Sequence, residues 1–231
     1  MNVQPIQTSV FVDGDDLFAF IEQHVERLPE SSILVVTSKI VALAENRTAI
    51  VMDESSKEKL IRAESELAIH TKYVWLTVKD GMVMASAGID ESNANGKLIL
   101  LPKDSFHSAR QLRKKLQKRY GVKNLGVLIT DSRTAPLRLG VTGVALGYAG
   151  FRGIRDYRGK KDIFGRKFHF SRVNVADSLA AAAVFVMGEG NEQQPLAIIS
   201  GAQVEFCERV NRKELRIDIQ DDMYGPIFRG L

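Results

Sequence analysis

The fold turns on Leu125-Gly-Val-Leu-Ile-Thr130, a run without charge that stops at Asp131-Ser132. A short apolar run closed by polar residues reads as a strand buried within a sheet. Ile33-Leu-Val-Val36 has the same character and leads into Thr37-Ser38, whose hydroxyls are placed to cap a following helix. Leu196 to Ser200 reads as a last strand. Upstream, a segment opening at Phe11 ends in Asp13-Gly14-Asp15-Asp16, after which Leu17, Ile21 and Val25 recur at helical spacing through Arg27.

The remaining segments are mixed. Asp53 to Lys59 is polar and reads as a loop feeding a helix over Leu60–Leu67. Tyr73 to Val78 and Met82 to Ser86 flank Lys79-Asp80-Gly81, a hairpin signal. Ser108-Ala-Arg-Gln111 resembles a capping box and opens a helix to about Tyr120. Leu112 and Leu116 form its apolar side, and Arg110, Arg113, Lys114, Lys115, Lys118 and Arg119 cover the remainder. Gly140, Gly143, Gly147 and Gly150 punctuate an apolar segment, which suggests close backbone approach to a ligand or another chain. Val175 to Met187 is an alanine-rich helix ended by Gly188-Glu189-Gly190. Strands and helices do not alternate strictly, so the expected class is α+β.

With 231 residues, the chain is long enough for one large domain or two small interleaved ones. Its 45% hydrophobic and 26% charged residues exclude wholesale disorder. Cys207 stands alone, which excludes an intramolecular disulfide, and His24, His70, His107 and His169 are too scattered for a Cys/His zinc site. The longest apolar stretch, Leu179 to Met187, is too short to span a bilayer, and no signal peptide is evident, so a cytoplasmic protein is expected. Residues 1–100 carry a net charge of −6 and residues 101–231 a net +10. A basic half points to an anionic partner: a nucleotide, a phosphorylated metabolite, an acidic polymer or nucleic acid.

Three acidic clusters sit at element ends: Gly88-Ile-Asp-Glu-Ser-Asn93, Ile129-Thr-Asp-Ser132 and Met187-Gly-Glu-Gly190. Carboxylates beside a hydroxyl or an amide are typical hard-cation ligands, and magnesium adds phosphate oxygens to one or two of them. Capping of loop backbone explains any one cluster equally well. No spacing rule brings the three together. The glycines at 188 and 190 follow a helix instead of opening one, so they make neither a Walker loop nor a dinucleotide fingerprint. Arg152, Arg155, Arg158, Lys160, Lys161 and Arg166, interleaved with Phe151, Tyr157 and Phe164, suit anion capture with stacking.

Taken together, these segments resemble the CofE family, the γ-glutamyl ligases of the deazaflavin coenzyme F-420. The resemblance runs over about residues 8–201. It is carried by Gly14-Asp-Asp-Leu17, Leu34-Val-Val-Thr-Ser-Lys-Ile-Val41, Ala87-Gly-Ile-Asp-Glu-Ser-Asn93, Ile129-Thr-Asp-Ser132, Gly147-Tyr-Ala-Gly150, Asp156-Tyr-Arg-Gly-Lys-Lys-Asp-Ile-Phe-Gly-Arg166, Val175-Ala-Asp177 and Met187-Gly-Glu-Gly190. It implies a mixed α+β fold over 1–231, with a β region that intertwines two copies into a homodimer. It also implies a GTP-using ligase with two divalent ions, Mg²⁺ or Mn²⁺, that adds L-glutamate to a carboxylate-bearing acceptor through an acyl phosphate. By similarity Asp90 and Asp131 hold the first ion, and Ser132 and Glu189 the second. Ser38, Lys39 and Asn93 contact the nucleotide, as does the loop from Met187 to Gln194, with Met187, Gly188, Glu189 and Gly190 in it; Thr8 to Phe11 match another nucleotide-binding stretch by position. No catalytic acid or base is assigned, and neither a membrane nor nucleic acid is expected as a partner.

The chain departs from the family pattern at three places. Ala42-Leu43 stands where the family has Ser-Lys, which removes a cation from the phosphate surroundings. Arg133-Thr134-Ala135 replaces a Gly-Arg continuation after the metal-binding pair, and the segment between Arg47 and the helix near Leu60 is short. A divergent ligase is therefore the leading expectation. A non-catalytic relative that binds an anionic ligand or RNA is the alternative.

Overall fold

Ile33–Val36 and Leu125–Thr130 lie side by side as the parallel centre of a five-stranded sheet. The computed structural model describes residues 1–228. In chain order its elements are β1 (Asn2–Ile6), α1 (Leu17–His24), β2 (Ser32–Thr37), α2 (Ser38–Ala44), β3 (Thr48–Ala49), α3 (Glu54–Ala63), β4 (Leu67–His70), β5 (Trp75–Lys79) and β6 (Met82–Ala85). A 3-10 turn follows at Ser86–Gly88. Then come β7 (Leu98–Ile99), α4 (Ser105–Tyr120), β8 (Leu125–Thr134), β9 (Val141–Ala149), β10 (Ile154–Asp156), β11 (Arg172–Asn174), α5 (Val175–Met187), β12 (Leu196–Ser200) and α6 (Gly225–Phe228). The mixture is α+β, as the sequence implies.

The main sheet has the order β1-β12-β2-β8-β9; only β2 and β8 run parallel. Successive strand residues face opposite ways, so a strand covered on both sides is apolar throughout. Leu34, Val36, Val127 and Ile129 meet Ile21 of α1 and Leu112 and Leu116 of α4 on one face. Ile33, Val35 and Leu128 meet Ala176, Leu179, Ala180 and Ala183 of α5 on the other. Each buried Val, Leu or Ile among them contributes about 1.5–3 kcal/mol. Residues 48–101 form an excursion between α2 and α4, holding α3, the β4-β5-β6 antiparallel sheet and the β3–β7 ladder. Among the described residues no helix is long and apolar enough to cross a membrane.

Several local expectations are corrected. The cap of α4 is Asp104, which accepts from the His107 N–H at 2.9 Å, and the Ser108 hydroxyl turns to Glu45 at 2.6 Å instead. Asp53 caps α3, so the helix begins at Glu54 and stops at Ala63, and Leu67 opens β4. Thr37 sits at the start of α2 but makes no side-chain cap bond. Strand β8 does not stop at Thr130; it runs on to Thr134 because β9 keeps pairing with it, after a bulge between Ile129 and Thr130.

Arg113 is another correction. It is 4% exposed, because Ala109, Leu112, Arg113 and Leu116 share the inward stripe of α4. Its Nε donates to the Leu125 carbonyl at 2.7 Å, and its guanidinium grips both oxygens of Glu208 at 3.0 and 2.7 Å. Glu214 also anchors the tail, accepting from the Tyr148 hydroxyl at 2.6 Å and the Gly153 N–H at 2.7 Å.

The glycines of β9 serve approaches within the chain. A Cβ at Gly143 would collide with the Ala180 carbonyl and Val184 of α5, and one at Gly147 would come within 2.5 Å of the backbone at Ser105 and Phe106. Helices on both faces therefore touch this strand closely. Gly147→Ala is expected to lower unfolding free energy by about 2 kcal/mol, because backbone on both sides cannot yield. Urea denaturation measures this; an unchanged midpoint would contradict the packing described.

Candidate functional site

The parallel pairing sets Thr37 opposite Thr130, so the chain leaves β2 as Ser38-Lys39 beside Asp131-Ser132 on β8. The carboxyl ends of adjacent parallel strands are where open sheets place ligand crevices. A cleft of ≈ 510 Å³ opens there. The excursion brings a third wall: an antiparallel bridge between Asp90 and Ile99, with N···O distances of 2.9 and 2.8 Å, returns Asp90–Asn93 to the cleft. The loop after α5 brings the fourth, and the Thr8 N–H ties that loop to the N-terminal segment by donating to the Gln193 carbonyl at 2.9 Å.

Every residue that the resemblance gives to the metal ions or the nucleotide lines this one cleft: Ser38, Lys39, Asp90, Asn93, Asp131, Ser132 and the Met187-Gly-Glu-Gly190 run. Thr8 to Phe11 line it as well. Leu43 is there too, at the position where the family has lysine, whereas Arg133 is not among the lining residues. The basic arm at 152–166 lies outside the cleft lining, with Phe151 fully buried, Arg152 paired to Glu205 and Arg158 paired to Asp156.

The polar contacts inside are specific. The Lys39 ammonium bonds the Asp90 carboxylate at 2.8 Å and the Ser92 carbonyl and hydroxyl at 2.8 and 3.0 Å. Ser92 returns its N–H and hydroxyl to Asp90 at 2.7 and 2.9 Å. The Ser132 hydroxyl donates to Glu189 at 3.2 Å, and the Asn93 amide donates to the Gly190 carbonyl at 3.3 Å. Gly190 in turn gives its N–H to Glu192 at 2.8 Å. Thr130, at the bulge, keeps a buried hydroxyl without a hydrogen-bond partner among the described residues. Bulges commonly re-aim side chains beside active sites, and here the bulge lies next to Asp131. Ser92 is not assigned a role from sequence, although it lies inside the acidic segment Gly88–Asn93, whereas Glu192 falls within the loop to Gln194 that the resemblance gives to the nucleotide.

Among the described lining residues, four carboxylates (Asp90, Asp131, Glu189 and Glu192) face one cation, Lys39. Burial pushes the Asp131 carboxyl up, Asp90 and Glu189 push the same way, and the Ser132 N–H and Ser38 hydroxyl pull against them. The net is a rise to about 7. Burial raises Asp90 too, but Lys39 and the Ser92 donors outweigh it and hold that carboxyl below its usual range. Among the described residues, no three His, Cys, Asp or Glu side chains form a ready cation cage. The donor chemistry nonetheless fits hard cations: carboxylates that repel one another, beside a hydroxyl and an amide, favour a bound positive charge.

A proton bound more tightly by folded Asp131 than by the unfolded chain makes stability fall as pH rises from about 4 to about 7. Asp131→Asn removes that penalty. In chelator the variant is expected to exceed the parent by about 2 kcal/mol above pH 7, with the gap closing towards pH 4. Thermal unfolding across that range tests this; a gap independent of pH contradicts it.

A family model described as F420-0:Gamma-glutamyl ligase matches residues 5–201, from β1 to just past β12. The chain is similar to the coenzyme F420:L-glutamate ligase of Methanopyrus kandleri strain AV19, at 37% identity over 84% of this chain and 83% of the relative. The protein so named in Methanococcus maripaludis strain C7 is 37% identical over 74% of this chain and 66% of its own length. The one in Archaeoglobus fulgidus is 32% identical over 83% and 84%.

Proposed function

The chain belongs to the F420-0:gamma-glutamyl ligase family, and we propose that it joins L-glutamate to a carboxylate of a deazaflavin coenzyme F-420 precursor or a folate-like pterin, using GTP and two divalent ions, Mg²⁺ or Mn²⁺. The observation that carries this reading is the convergence of Asp90, Asp131, Ser132 and Glu189, from three distant segments, on one cleft that also holds Lys39 and a glycine-rich loop. In this account Asp90 and Asp131 hold the first ion, and Ser132 and Glu189 the second. The ions would neutralise charge on the transferring phosphoryl group.

A carboxylate is a poor electrophile because its charge repels a nucleophile and it lacks a leaving group. Transfer of the γ-phosphoryl group of GTP to the acceptor carboxylate breaks the bridging P–O bond and gives an acyl phosphate and GDP. The neutral amine of glutamate then attacks the acyl carbon, the C–O bond to phosphate breaks, and an amide and inorganic phosphate result. In this account Ser38, Lys39 and Asn93, which line the cleft, hold the nucleotide. Gly188 and Gly190 leave backbone of the 187–194 loop unshielded by side chains, which suits close approach to phosphate. With Leu43 apolar and Arg133 outside the lining, Lys39 is the cation left for that charge among the described lining residues.

The match over residues 5–201 takes in the excursion at 48–101, which supports one ligase domain. Leu137, Leu139, Ile163, Phe164 and Phe170 are exposed on two hairpin arms, which supports a homodimer covering them. Leu43 favours the rival reading, a family member that binds an anion without turnover.

A thermal-shift screen separates the two. GTP with Mn²⁺ at a hundred times its dissociation constant is expected to stabilise the protein by about 2.7 kcal/mol. Chelator or Asp131→Ala is expected to abolish the shift. No shift with GTP or ATP under either metal would overturn the ligase reading and leave Leu43 as the mark of a lost site.

A further inference from the structure

Lys39 is tied down more firmly than a side chain waiting for a phosphate needs to be. Its three ammonium contacts, all within 3.0 Å, go to Asp90 and Ser92, on the segment that the excursion returns to the cleft. Asp90 is the carboxylate to which the proposed function gives the first divalent ion. The ammonium bonds Oδ2, and Ser92 supplies two further donors, so both oxygens of this carboxylate are already engaged. A divalent ion on Asp90 needs oxygen lone pairs directed at itself, and it would sit a few ångströms from a fixed positive charge.

We infer that Lys39 is a tethered counter-ion for Asp90 that competes with the divalent ion and weakens its binding until a phosphate draws the ammonium away. This rests on the proposed metal-dependent function. It makes Lys39 a positioning residue that links the metal to the nucleotide, since a group that releases Asp90 when it moves to phosphate couples the two bindings in both directions. It also accounts for the many contacts made by Lys39, the lone cation among the described lining residues of an acidic cleft.

The test uses the whole protein and Mn²⁺ alone, with free Mn²⁺ followed by its electron paramagnetic resonance signal. Lys39→Met is expected to tighten Mn²⁺ by about tenfold, because a like charge beside the ion has gone, while Lys39→Arg stays near the parent. In the parent, Mn²⁺ is expected to raise modification of Lys39 by an amine-acylating reagent, read by mass spectrometry; this arm needs no variant. Equal or weaker Mn²⁺ binding in a folded Lys39→Met, or Lys39 labelling unmoved by saturating Mn²⁺, overturns the inference and leaves the metal site standing. Absence of Mn²⁺ binding in parent and variant alike overturns the metal reading itself, and the inference with it.

Discussion

The parallel pairing of β2 with β8 is the constraint from which the rest of the molecule follows. Its register, Ser32 opposite Leu125 through to Thr37 opposite Thr130, fixes which side chains enter each face of the core and which groups emerge at the strand ends. A slip of one residue would turn Leu34 and Val127 from the α1–α4 face to the α5 face and separate Ser38 from Asp131. Gly126 enforces the fit, since a Cβ there would come within 2.8 Å of Ile33 and 2.9 Å of Phe151. The core that stabilises the protein and the cleft proposed to do its chemistry are thus set by one ladder.

The cleft is costly to keep. Asp131 lies where burial and two neighbouring carboxylates all oppose its ionisation, and Thr130 beside it carries a buried hydroxyl without a hydrogen-bond partner among the described residues. Groups arranged against their own stability are characteristic of sites that await a ligand, because the same arrangement favours what binds. The charge balance points the same way: among the described lining residues four carboxylates stand against one ammonium, which favours a bound positive charge.

Much of this was legible in the sequence, and the rest was hidden for identifiable reasons. The runs Ile33–Val36, Leu125–Thr130 and Leu196–Ser200 announced strands because burial on both faces leaves no polar residue to blur them. The helix Val175–Met187 was bounded correctly by its glycine stop. Strand β1 was missed because it is an edge strand, mixed in burial and carrying Pro5. The cap of α4 falls at Asp104 and not at Ser108 because several Ser and Asp residues offer competing caps within a turn, and the start of α3 was hidden because Asp53–Lys59 is polar enough to read as a loop. Arg113 had a signal that was overlooked: it falls on the stripe of Ala109, Leu112 and Leu116, and a cation there must be paired. The acidic clusters at 88–93, 129–132 and 187–190 were visible singly. Their meeting depends on strand pairing and on the Asp90–Ile99 bridge, contacts between distant segments that local pattern does not encode.

Leu43 puts an apolar side chain in the lining of the cleft, so the decisive question is whether the proposed phosphoryl transfer to the acceptor occurs. The direct measurement follows ¹⁸O from a deazaflavin precursor labelled in its terminal carboxylate, incubated with GTP, L-glutamate, Mn²⁺ and the protein. An acyl phosphate route predicts inorganic phosphate carrying one ¹⁸O for every amide formed. GTP consumed with unlabelled phosphate and no amide, or no GTP consumed, would contradict the account.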